Sequence, residues 1–134
     1  MAEESNIQVV RKLFEAFNER RFDDLEGTVF SPALVWRHHG KESDLAHWIR
    51  DARSCVVSFP DAELVIESEQ PAGDRVTVTF RFRGTHLGPF AGAAPSGQAF
   101  NIAGTSTFRI LDGLIVEDDE HLDEEALVRQ LALA

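Results

Sequence analysis

Residues 117–125, EDDEHLDEE, carry seven carboxylates, enough for general acid–base chemistry if some of them are held inside the fold. Asp123, Glu124 and Glu125 stand at the start of a C-terminal helical pattern, where negative charge suits a helix N-terminus, and are read as solvated. Val116, Asp118, Glu120 and Leu122 alternate along a strand and share a face. If Val116 and Leu122 point inward, Asp118 and Glu120 do as well. A carboxylate desolvated beside a like charge holds its proton more tightly, which suits a base that removes a proton from carbon near neutral pH. Glu120 is the candidate base and Asp118 its companion.

The histidines sort by the same parity. His86 is in phase with Phe80 and Phe82 and faces the interior, either as a third catalytic group or as a histidine satisfied by backbone near Gly88. His38 is in phase with Leu34 and Trp36 and reaches toward the same interior, whereas His39 and His121 fall on the opposite parity and are read as wet. Neighbouring His38 and His39 therefore point apart, and no metal site is expected. The chain has no phosphate loop, dinucleotide fingerprint or GxSxG elbow. Cys55 sits mid-helix without a base, so phosphoryl, hydride and acyl transfer are unsupported and no cofactor is implied. With no tyrosine in the chain, a phenol cannot serve as oxyanion donor.

Composition narrows the partners. The 134 residues suit one domain, and 43% hydrophobic residues with ten Phe can build a core. A formal net charge of -10 repels phosphate backbones and anionic lipid, so neither nucleic acid nor a membrane surface is an expected partner. No apolar run approaches the ~18 residues of a membrane span. The acidic start MAEESNIQVV is unlike a signal peptide, and a lone cysteine suits a reducing compartment, so a cytoplasmic location is expected.

The elements that must position these groups follow from periodicity. Ile7, Val10, Phe14 and Phe17 predict an amphipathic helix over 6–19, capped by Ser5. Phe22, Leu25 and Val29 predict a short helix, which Pro32 separates from the strand Leu34-Val35-Trp36. Ser43 is placed as the cap of a third helix through Leu45, Trp48, Ile49, Ala52, Cys55 and Val56. From Ala62 the period is two, with Val76, Val78, Phe80 and Phe82 inward and Thr77, Thr79, Arg81 and Arg83 outward. Ala72-Gly73-Asp74 and Asp112-Gly113 read as hairpin turns, and a helix from about Glu124 closes the chain. Helices first and long antiparallel strands afterwards predict an α+β fold, a curved antiparallel sheet wrapped around the N-terminal helices as a cone-shaped barrel. Phe100, Ile102, Gly104, Ser106, Phe108 and Ile110 share an inward face, where the small Gly104 and Ser106 are expected to leave a hollow. The interior is thus an apolar pocket.

In order, VRKLFEAFNERRFDDLE, FPDAELVIE, GDRVTVTFRFRGTHLGPFAG, FRILDGLIVED and LVRQL resemble the SnoaL-like branch of the nuclear transport factor 2-like superfamily over nearly the whole chain. Gly84-Thr85-His86-Leu87-Gly88-Pro89-Phe90 with Pro95-Ser96-Gly97 resembles that family's GTHxGxF and PTG pattern. The resemblance implies a cofactor-free polyketide cyclase that closes a ring by intramolecular aldol condensation, or a related hydroxylase on the same fold. The aspartate with which the family's cyclases move the proton corresponds to Glu120, the histidine that accompanies it to Ser106, and a common tryptophan to Asp119. Trp36, His38, Ser106, Phe14 and Phe17 are then expected to bind a small hydrophobic polycyclic substrate, with Ser106 and His86 steadying its oxygens. A homodimer through the outer row Thr77, Thr79, Arg81 and Arg83 is expected. The rivals are an epoxide hydrolase, for which Arg109 has the wrong parity, and a non-catalytic binding or dimerisation domain.

Overall fold

Helix α1 spans Ala2–Asn18 in the computed structural model, which describes residues 2–133. Ser5 lies inside this helix instead of capping it; Glu3 and Glu4 in the first turn favour the earlier start electrostatically. The helix buries Val9, Val10, Leu13, Phe14, Ala16 and Phe17 against the sheet. Each of the Val, Leu and Phe side chains contributes about 1.5–3 kcal/mol when fully removed from water. A 3-10 turn, Phe22–Asp24, follows.

Strand β1 runs Phe30–His38 and absorbs Pro32, which had been expected to precede it. The pairing of β1 shifts register between Phe30 and Val35. The missing N–H of Pro32 therefore falls in an irregular stretch and interrupts no regular ladder. A short β2, Lys41–Ser43, turns back on β1, and α2 occupies Leu45–Ser58. Its cap is Asp44, whose carboxylate accepts the His47 N–H at 3.0 Å; Ser43 belongs to β2.

The long strands are β3 (Glu63–Ala72), β4 (Arg75–Thr85), β5 (Ala99–Leu111) and β6 (Leu114–Leu122), and α3 (Glu124–Gln130) ends the fold behind its cap, Asp123. Asp112 and Gly113 both have positive φ, as the hairpin turn between β5 and β6 requires. The six-stranded sheet has the order β2-β1-β6-β5-β4-β3. The α+β architecture and curved sheet are as expected, with one addition. β1 pairs β6 in parallel, so the sheet is mixed, and its edge strands do not join, so the cone stays open.

Inward parity holds along β4 and β5, where Val76, Val78, Phe80, Phe82, Phe100, Ile102, Ser106, Phe108 and Ile110 are all buried. It breaks in β6. Arg109 pairs Glu117 while Ile110 pairs Ile115, leaving Val116 as the extra residue of a bulge. Ile115 takes the inward place expected of Val116, and beyond the bulge Asp118 and Glu120 still face inward. Gly104 does not leave a hollow either. A Cβ there would run into the Phe80 ring, so the glycine lets that ring lie against the sheet.

Candidate functional site

Between the concave sheet face, α2 and α3 lies a cavity of about 530 Å³. Phe17, Trp36, Trp48, Phe80, Phe82 and Leu122 supply apolar wall, and the exposed Asp51, Ser54, Ala91 and Val128 rim it. Its charged end is built by β1, β6 and the start of α3, which bring His38, Glu120 and Glu124 together. Parallel pairing sets His38 directly beside Glu120. Antiparallel pairing sets Ser106 on the other side.

His38 sits between two carboxylates. Its Nδ1 lies 2.9 Å from Glu120 Oε1 and its Nε2 2.8 Å from Glu124 Oε1. The hydrogen bond with Glu120 is the main cause that pushes the imidazole up to about 9; burial works against it, and Glu120's charge and Glu124 add to it. At neutral pH an imidazolium therefore donates to both carboxylates. It steadies and orients the Glu120 side chain, which is only 19% exposed and faces the cavity.

Asp118 behaves differently two residues away. It is fully buried behind the wall, and desolvation first, then the charge of Glu120, raise its carboxyl well above the usual range; a hydrogen bond with Ser106 works the other way. Burial thus biases Asp118 toward its protonated form. Among the described residues its Oδ1 has no hydrogen-bond partner, and neither has Trp36 Nε1 at the paired position of β1.

Of the residues singled out from sequence, Trp36, His38, Phe17 and Glu120 line the cavity. Asp118, Ser106, Phe14 and His86 do not. Phe14 packs edge-on against Phe80 at 5.4 Å and Phe108 at 6.5 Å. His86 is fully buried, with Nδ1 accepting the Ser96 N–H at 3.2 Å and lying 2.9 Å from Ser96 Oγ. Its ring fastens the 86–98 loop. Ser106 and His86, expected to steady substrate oxygens, thus lie outside the cavity lining.

Two readings of the histidines and acids change. His39 has φ 51, which takes it out of strand alternation, and its ring stands 4.5 Å from His38, edge to face, where divergence had been expected. Glu124 had been read as solvated, yet it lines the cavity and touches both histidines. Helical periodicity carries no sign of this, because the contact depends on how α3 meets the end of β1. The Cys55 thiol is pushed up to about 12 by burial and stays protonated. Arg109 pairs Asp74 at 3.0 Å and Glu117 at 3.1 Å on the outer face. None of the residues lining the cavity is an arginine, so the Asp, Arg and Asp set of an epoxide hydrolase is not assembled there.

Comparison with known proteins agrees with this architecture. The profile described as "SnoaL-like polyketide cyclase" matches residues 7–131. AclR of Streptomyces galilaeus, labelled a hydroxylase, superposes with a TM-score of 0.89 at 23% identity, covering 97% of this chain and 82% of AclR. IdmH of Streptomyces antibioticus, labelled a polyketide cyclase, gives 0.87 at 25%, covering 96% and 99%. A SnoaL-like protein of Jannaschia sp. CCS1, also labelled a polyketide cyclase, gives 0.86 at 26%, covering 98% and 94%. No curated protein sequence matches the chain.

Proposed function

The chain belongs to the SnoaL-like polyketide cyclase family, and from that premise we propose that it is a cofactor-free acid–base enzyme that closes a ring on a polyketide by intramolecular aldol condensation. The observation that carries the reading is Glu120, a carboxylate in the wall of an apolar cavity with its orientation set by His38. Glu120 removes a proton from a carbon flanked by carbonyls, and the C–H electrons pass into an enolate. The enolate carbon attacks a second carbonyl of the same molecule, forming the C–C bond. Glu120 returns the proton to the new alkoxide, so the product is an isomer of the substrate.

Binding supplies much of the rate. Phe17, Trp36 and Trp48 offer flat apolar surface on which a polycyclic chain is held folded for attack. The indole N–H of Trp36, which pairs with Asp118 on the strand beside the base and has no partner among the described residues, is suited to an enolate oxygen. Asp118, its carboxyl raised by burial, is set behind the wall, whereas Glu120 lines the cavity. The outer row Thr77, Thr79, Arg81 and Arg83 supports pairing of two copies through the sheet; a light-scattering mass of a single chain at micromolar concentration excludes that pairing.

The test is incubation with a panel of tricyclic polyketide esters and identification of products by mass spectrometry. Ring closure gives a product of unchanged mass. Addition of oxygen identifies a hydroxylase, and binding without conversion identifies a non-catalytic domain; either result refutes the cyclase reading.

A further inference from the structure

We propose that His38, His39 and Glu124 form a binding site for one divalent transition-metal cation of zinc-like preference at the charged end of the cavity. One ligand atom from each of the three lies within 4.8 Å of the others. Among the described residues no other group of three or more His, Cys, Asp or Glu side chains converges in this way. Glu124 Oε1 is the hub, 2.8 Å from His38 Nε2 and 3.2 Å from His39 Nε2. Bonds of about 2.0–2.2 Å in a tetrahedron require ligand atoms roughly 3.3 Å apart. The cluster needs only side-chain adjustments to meet that spacing.

Its construction goes beyond a surface group of charges. A ligating histidine characteristically uses its second ring nitrogen to hold a carboxylate, which fixes the ring and its basicity. His38 does this: Nδ1 engages Glu120 at 2.9 Å, and Nε2, aimed at the hub, releases its proton to solvent when the cation binds. His39 joins because its left-handed backbone turns the ring back toward His38, so the site depends on the turn at the end of β1. Two imidazoles and one carboxylate are a donor set for zinc-class cations, whereas Mg²⁺ and Ca²⁺ prefer oxygen ligands throughout. Three protein ligands leave such a cation an open position.

The immediate surroundings favour a cation. Glu120 engages His38, and Asp123 and Glu125 flank Glu124 in the chain. Of the two basic neighbours of His38, Arg37 is turned to Glu117 and Glu42, while Lys41 pairs with His38 from β2. Entry is open, since the His38, His39 and Glu124 side chains are 31%, 39% and 57% exposed. His39 Nε2 now accepts the Leu122 N–H at 3.2 Å, a long bond that coordination would replace. His121 lies outside the set, with Nε2 3.4 Å from Asp119.

The experiment measures binding and not turnover, so its outcome is separate from the assignment of Glu120 as base. Chelator-treated, dialysed protein is titrated with Zn²⁺ by calorimetry and with Co²⁺ by visible absorption. One equivalent of Zn²⁺ should bind in the presence of excess Mg²⁺, and bound Co²⁺ should develop the intense bands of a four- or five-coordinate ion. Glu124→Gln, and His39→Asn, which tolerates the left-handed backbone, should each weaken Zn²⁺ at least tenfold with circular dichroism unchanged. Glu120→Gln should weaken it about 10–100-fold through His38. Binding of Zn²⁺ that is absent, multi-site, or unaffected by Glu124→Gln and His39→Asn overturns the proposal and leaves the cluster an ion-paired group only.

Discussion

The two faces of β6 carry equal numbers of acids between Glu117 and Glu120, yet their surroundings have opposite consequences. Outward, Glu117 is gripped by Arg37 at 2.9 Å and Arg109 at 3.1 Å, and the two guanidiniums hold its carboxyl below the usual range. Asp119 lies 3.4 Å from His121 in solvent. Inward, Asp118 meets no cation and is driven toward its neutral form, while Glu120 meets the His38 imidazolium at the cavity wall. Carboxylate density is therefore no guide to chemistry in this segment. Phase along the strand decides which acids leave water, and the neighbouring strand decides which of those keeps a charge to use.

The largest effect that would sharpen this contrast is expected from Glu120→Gln, which keeps size and hydrogen bonding but cannot accept a proton. Turnover measured at saturating substrate should fall ~100 to 10,000-fold, with circular dichroism and Tm close to wild type. Retention of near wild-type turnover would move the base elsewhere.

Asp118→Asn should act on stability instead. Its carboxyl titrates higher in the folded than in the unfolded chain, so wild-type stability loses ground as pH rises from about 4 through the folded value. Asn should remove that slope and stabilise the protein at pH 8 by an amount of order 1 kcal/mol, with turnover changed far less than by Glu120→Gln. Urea unfolding at pH 5 and pH 8 measures it. An equal effect at both pH values contradicts a carboxyl raised by burial.

Glu117→Gln should do least. Its two arginine partners are more than a third exposed or close to it, and such pairs are worth up to about 1 kcal/mol and are screened by salt. A loss well above that, insensitive to salt, would make the outer face as consequential as the inner.

Much of this contrast was legible in the residues themselves. β4 and β5 alternate without interruption, so their inward set could be read directly, and the positions of Asp118 and Glu120 followed from Leu122. Val116 misled because a bulge inserts one residue without a compositional mark. The cap at Asp44 and the Pro32 inside β1 were hidden for a similar reason: Ser43 and Asp44 are both competent caps, and a proline in an irregular pairing costs little. What sequence could not show was pairing between distant segments. The parallel match of β1 with β6 is what places His38 on Glu120, and the left-handed backbone at His39 is what undoes its apparent divergence from His38. Glu124 looked like an ordinary helix-start acid and serves in that position too. Its second set of contacts arises only when α3 closes over the cavity.

The most direct test of Glu120 as the base separates proton removal from ring closure. A substrate analogue that keeps the carbon between two carbonyls but lacks the receiving carbonyl is incubated in deuterium oxide, and deuterium uptake at that carbon is followed by NMR. Wild-type protein should accelerate uptake above the buffer rate, Asp118→Asn should preserve most of the acceleration, and Glu120→Gln should reduce it to the buffer rate. Wild-type uptake in Glu120→Gln would contradict the assignment.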